Sequence, residues 1–173
     1  MLGRTYVHCM VADVIKKAYA DLHEQYPRTV FMYGETGWAS GGSFKPHKTH
    51  QNGLSVDFMV PVLDKAGKSV PLQANALNKY GYDIEFDADG NYKELTIDFE
   101  AIAAHLSALK KAAESKNVKI WRVIFDPELQ PFLQKTKAWP AIKDQLEFSK
   151  RKSWVRHDDH YHVDFSVSCQ PLS

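Results

Sequence analysis

The stretch from His157 to Val167 constrains this chain more than any other. Tyr161, Val163, Phe165 and Val167 alternate with His160, His162, Asp164 and Ser166, the period of a β-strand with one apolar and one polar face. Residues two apart on a strand share a face and stand roughly 6.5–7 Å from one another along it. The aromatic and aliphatic set therefore belongs in a core, which leaves His160 and His162 side by side on the opposite face. Three of the chain's eight histidines, His157, His160 and His162, fall within this short run. Two imidazoles fixed on one rigid element are half of a metal or acid–base site. The fold must bring a second segment to that face.

Such a segment lies about a hundred residues earlier. After a turn at Asn52-Gly53, Leu54, Val56, Phe58 and Val60 alternate with Ser55, Asp57 and Met59. Asp57 is thus a carboxylate on the polar face of an otherwise apolar strand. His50 precedes it across a glycine that lets the chain fold back. Together His50, Asp57 and His162 offer two nitrogens and one oxygen. That donor set suits one zinc ion per chain, with its fourth position left to water. A lone histidine beside a strand is more often structural or exposed than a ligand. Here His47, His50, His157, His160 and His162 would all have to gather by accident, with Asp57 among them.

The remaining chain reads as the scaffold for that meeting. Residues 10–25 carry an apolar stripe at helical spacing, Val11, Val14, Ile15, Ala18, Tyr19 and Leu22, closed by Pro27. A short strand at 30–33 leads into a glycine-rich loop, 34–46, that contains Trp38 and ends at His47. Residues 64–80 show no clear period. A hairpin is expected over 82–97, with Asp87 to Asn91 as its turn. That turn lacks the spacing and closing glutamate of a calcium loop. Asp98 caps a helix reaching about Ser115, 118–125 is the most strand-like run, and short helices are expected over 127–136 and 140–148, each with proline in its first turn. The sum is a single α+β domain over residues 1–173, a small, mostly antiparallel sheet flanked by helices.

Bulk properties exclude several classes. With 22 basic against 21 acidic side chains, no global field draws the protein to nucleic acid or to an anionic membrane. No apolar run approaches the ~18–20 residues of a membrane span. The first residues lack a signal-peptide hydrophobic region. Either an export signal lies outside this sequence, or delivery uses other means, or the protein is cytoplasmic. Cys9 and Cys169 are one bridge or two free thiols, and neither has a neighbour at zinc-finger spacing. The oligomeric state is not legible.

Two motifs add a resemblance. The runs His47-x-x-His50-Gln51-Asn52-Gly53-Leu54-x-Val56-Asp57 and His157-Asp158-Asp159-His160-x-His162-Val163 resemble the signature motifs of the penicillin-insensitive murein endopeptidases. Those enzymes belong to the LAS group of zinc peptidases, with lysostaphin, the D-alanyl-D-alanine peptidases and the hedgehog domain. The resemblance implies that fold, with His50, Asp57 and His162 as zinc ligands. It makes His160 the general base or transition-state stabiliser, with His157 as a further catalytic group and His47 as a substrate contact. It also implies a peptidoglycan peptide as substrate, cut beside a D-amino acid or diaminopimelate, and a periplasmic or otherwise exported location. Trp38, Trp154 and the basic run 150–156 would then line the groove. Asp164 departs from the pattern, standing where a basic residue is expected, and 64–97 looks like an insertion.

Three rivals follow from the same residues. A non-catalytic zinc module of this fold would have little use for His157 and His160, because a structural zinc prefers four protein ligands. An iron(II) oxygenase would use two histidines and a carboxylate, but its close His-x-Asp pair is missing. A carboxypeptidase acting on free stem peptides shares every feature above.

Overall fold

The computed structural model describes residues 3–45, 47, 49–151 and 155–168; Trp154, Cys169 and part of the basic link at 150–156 lie outside them. Cys9 is an exposed, free thiol. Two antiparallel four-stranded sheets are flanked by helices. The first contains β1 (Met32–Tyr33), β2 (Ser55–Met59), β7 (Lys119–Ile124) and β8 (His160–Ser166), in the order β1-β2-β8-β7. The second contains β3 (Val62–Leu63), β4 (Ser69–Val70), β5 (Asn91–Tyr92) and β6 (Leu95–Ile97), in the order β4-β3-β6-β5. No described helix is long and apolar enough to cross a membrane.

The period-2 pattern explains why β2 and β8 sit at the centre of the first sheet. Val56 and Phe58 from β2 join Tyr161, Val163 and Phe165 from β8 in one core. Helix α1 (Cys9–Gln25) brings Val11, Val14 and Ala18 to that core, and α2 (Phe99–Ser115) brings Ile102, Leu106 and Leu109. Each buried valine, leucine, isoleucine or phenylalanine among them contributes about 1.5–3 kcal/mol by leaving water. Asp98 caps α2 by accepting from the Ala101 amide at 2.9 Å, a bond worth ~1 kcal/mol. His8 caps α1 through its ring Nδ1, 3.3 Å from the Met10 amide.

The polar faces of β2 and β8 are also buried, contrary to the half-exposed strand the alternation predicts. Asp57 is 1% exposed, His160 2% and His162 3%. The loop before β2 and the segment around Tyr82 cover them. The hairpin expectation needs correcting as well. Residues 82–86 form no strand; Ile84 and Phe86 are buried because they pack into the core. The Asp87–Asn91 turn exists, with Asp87 Oδ1 accepting from the amides of Asp89 and Asn91 at 3.0 and 2.7 Å. It precedes the hairpin, however: β5 and β6 are joined through Lys93 and Glu94, with Lys93 left-handed. Residues 64–80 are not wholly irregular, since β4 pairs with β3. The two short helices are single turns, α3 (Gln130–Leu133) and α4 (Trp139–Ile142). Pro131 rather than Pro127 stands in the first turn of α3.

Candidate metal centre

Strand register builds the centre. In the antiparallel pair β2–β8, Asp57 lies opposite His162, Ser55 opposite Asp164 and Met59 opposite His160. All six belong to the face turned away from the helices. His50 arrives from the preceding loop with left-handed backbone, φ +62°, a conformation costing roughly 1–2 kcal/mol in a residue other than glycine. Gly53 makes the return to β2 possible: its φ is +73°, and a Cβ there would stand 2.6 Å from the His8 backbone nitrogen.

Three donor atoms converge. His50 Nε2 lies 3.2 Å from His162 Nδ1 and 3.3 Å from Asp57 Oδ1, while His162 Nδ1 lies 2.8 Å from Asp57 Oδ1. Atoms held 2.0–2.1 Å from one tetrahedral ion are roughly 3.3 Å apart. These side chains therefore form a buried group able to hold a metal ion with little movement. The donor set, two imidazoles and one carboxylate, is chemically apt for zinc.

Each donor is held from behind. His50 Nδ1 donates to the Thr36 carbonyl at 2.7 Å, which leaves Nε2 as a lone pair facing the site. His162 Nε2 meets Asp164 Oδ1 at 2.8 Å. Asp164 in turn accepts from Ser55 Oγ at 2.6 Å and from Arg122 Nε and Nη2 at 2.8 and 2.5 Å. Position 164, where the resemblance expects a basic residue, thus carries a carboxylate paired with Arg122 of the neighbouring strand. Asp57 Oδ2 accepts from Tyr82 Oη at 2.9 Å, and Tyr82 Oη accepts from the Glu35 amide at 2.9 Å. Gly34 leaves room for that phenol, since a Cβ there would lie 2.6 Å from its oxygen.

Charge is concentrated here. Burial alone would raise the Asp57 pKa, but His160, then His162 and His50, carry it well below the ordinary carboxylate range. Burial opposes a charged His162, yet hydrogen bonds to Asp164 and Asp57 outweigh that and raise its pKa to about 9. His160 follows the same logic: burial works against its proton, and Asp159 and Asp57 more than restore it. Its Nδ1 lies 2.9 Å from Asp159 Oδ2, and its Nε2 is 3.9 Å from Asp57 Oδ2. The His157 ring lies tilted beside His160, 4.6 Å between centroids, and its Nδ1 donates to the Val155 carbonyl at 2.8 Å. Burial, then the His160 charge, lower its pKa to about 4.

The structure thus brings His50, Asp57, His162, His160 and His157 together. His47 packs edge-on to His50 at 5.5 Å, with Nε2 3.7 Å from Glu35 Oε2. Burial lowers its pKa, and Asp57 only partly counters this. Trp38 is placed differently: its ring contacts run to Phe44 at 5.5 Å and to the Arg4 guanidinium at 5.0 Å. Trp154 lies outside the described residues. Sequence reasoning missed Tyr82, Thr36 and Arg122. Arg122 carried a signal, an arginine within the strongest strand run; Tyr82 was read as part of a strand, and the Thr36 contribution is a backbone carbonyl with no side-chain signature.

Among curated proteins none matches the chain. A family model does, over residues 2–172, and so nearly the whole chain, both histidine motifs included, belongs to the penicillin-insensitive murein endopeptidase family.

Proposed function

We propose that the chain is a single zinc-dependent peptidase domain that hydrolyses a peptide bond in peptidoglycan, beside a D-amino acid or diaminopimelate, outside the cytoplasmic membrane. One observation carries the reading: His50 Nε2, Asp57 Oδ1 and His162 Nδ1 converge within reach of one ion, and His160 Nε2 lies 3.9 Å from the other oxygen of Asp57. Zinc, when bound by these three, would polarise a scissile carbonyl and lower the pKa of water from about 15.7 to near 7.

The chain's own groups supply the rest. His162 gives up its Nδ1 proton to become a ligand, while its Nε2–H stays on Asp164, so the ring keeps its orientation. His50 needs no such change, because its proton already sits on Nδ1 against Thr36. Tyr82 occupies Asp57 Oδ2 and leaves Oδ1 as the ligand oxygen. Asp159 and Asp57 favour a charged His160, so its Nε2 first gives up that proton; held by Asp159, it then takes one from the attacking water and returns it to the departing amine, a role worth 10²–10⁴-fold. His157 sits beside it as a neutral ring with its proton on Nδ1 against the Val155 carbonyl, so its Nε2 is a lone pair that can accept a hydrogen bond from substrate or water. His47, packed on His50, and Trp38, packed on Phe44, are assigned to the substrate.

The test is an incubation of purified cross-linked muropeptides with zinc-loaded protein and with a chelated control, read by mass spectrometry. New amine termini in the zinc sample alone are the expected result. Release of a single terminal amino acid alone would make the enzyme a carboxypeptidase. Absence of any zinc-dependent product would leave a binding module of the same fold.

A further inference from the structure

On the edge strand β7 the pairing with β8 slips. Ile120 faces Phe165 and Arg122 faces Asp164, which leaves Trp121 as the extra residue of a β-bulge. Such bulges re-aim a side chain and are common beside active sites. The Arg122 guanidinium bonds Asp164 on the His162 face and lies 4.5 Å from the Trp121 ring centroid. The indole is therefore carried next to that face. It is nevertheless 50% exposed, whereas rings of this size usually bury most of their surface.

Trp121 walls a groove of about 690 Å³, shared with Gln51, Asn52, Asp164 and Ser166. Its lining reaches Ser55 and Asp164, the register pair next along the metal face from Asp57 and His162. That places the start of the groove roughly 7 Å from the metal ligands. Asp164 is the one charge among the described lining residues, and Arg122 and Ser55 meet it.

We propose that this groove binds the sugar of the substrate, an N-acetylated amino sugar, with the pyranose face laid on Trp121; the assignment rests on the peptidoglycan reading above. An aromatic plane rimmed by neutral amides and hydroxyls complements a ligand rich in hydroxyl and acetamido groups. A charged peptide terminus would call for an unpaired counter-charge, and the described lining offers none. The volume falls in the range of small-ligand sites. One strand spacing and one register step separate Trp121 from the ligand pair, on the order of 10 Å. About three extended peptide residues span that distance, so the sugar and the bond at the metal would be joined by a stem of that length.

The experiment titrates tri-N-acetylchitotriose, a peptide-free saccharide, into the zinc-loaded protein by calorimetry. It also compares cleavage of a sugar-bearing muropeptide with that of the same cross-linked peptide lacking sugar. Wild type binds the trisaccharide and prefers the sugar-bearing substrate. Trp121→Ala weakens saccharide binding about tenfold, raises KM for the sugar-bearing substrate by a similar factor with kcat little changed, and narrows the preference. Trp121→Tyr, which restores a ring, recovers most of both. Failure of wild type to bind the saccharide overturns the proposal. So does an equal loss on both substrates, which would assign the groove to peptide. Saccharide binding that depends on Trp121, in a protein that cleaves neither substrate, would keep the sugar site and remove the peptidase reading instead.

Discussion

Two buried histidines on opposite sides of strand β8 have contrasting surroundings. His162 is 3% exposed and places both ring nitrogens 2.8 Å from carboxylates, Asp57 and Asp164. His105, fully buried on α2, is enclosed by rings: Tyr19 stacks on it at 4.9 Å and Phe58 meets it edge-on at 4.7 Å. Its Nδ1 hydrogen-bonds the hydroxyl of Tyr161, the residue just before His162. Its Nε2 has no partner among the described residues. Burial drives the His105 pKa down to about 3, while the carboxylates raise that of His162 to about 9. Equal burial has opposite consequences. The neighbours decide whether an imidazole is a neutral core group or one poised to exchange a proton for a metal.

The largest test of that contrast is acid stability. An unfolded histidine titrates near 6.5, and folded His105 near 3. Between those values the unfolded chain binds the extra proton, so stability is lost as pH falls from 6.5 toward 3. The loss reaches up to ~1.4 kcal/mol per pH unit. Urea unfolding from pH 7 to 4.5 should therefore show a shallower slope with pH in His105→Gln than in wild type. Parallel slopes would mean that His105 is not held neutral.

On the carboxylate side, Asp164→Asn removes the charge that orients His162. Zinc affinity should fall 10–100-fold, the usual effect of losing a carboxylate behind a metal-binding histidine, as measured by competition with a chromophoric chelator. An unchanged affinity would show that Arg122 and Ser55 hold the strand without Asp164 acting on His162. Tyr82→Phe should have the smallest effect. It deletes one hydrogen bond to Asp57 Oδ2, worth ~1 kcal/mol, or about a fivefold weaker zinc affinity in the same assay. A hundredfold loss would make Tyr82 a structural keystone of the site.

Much of the centre was legible in sequence because it depends on period and register. Alternation in 54–60 and 160–167 predicts two strands with their polar residues on one face each, and pairing them places Asp57 opposite His162. What could not be read was the cover over those faces. Tyr82 reaches Asp57 from the end of a 3-10 helix, Ala76–Gly81, and its alternation with Ile84 and Phe86 records burial rather than strand pairing. His105 is one of several polar residues on helix α2, and only the packing shows the aromatic enclosure that keeps it neutral. The slip that exposes Trp121 is a one-residue offset between β7 and β8, which the composition of either strand alone does not reveal.

The central claim is that His50, Asp57 and His162 hold one zinc ion while His160 acts beside it. Zinc per chain after dialysis, measured by elemental analysis on wild type and on the alanine variants of these four residues, tests it most directly. The prediction is one zinc in wild type and in His160→Ala, and little or none in His50→Ala, Asp57→Ala and His162→Ala, all folded by circular dichroism. Full zinc retention in the last three, or its loss from His160→Ala alone, would contradict the assignment.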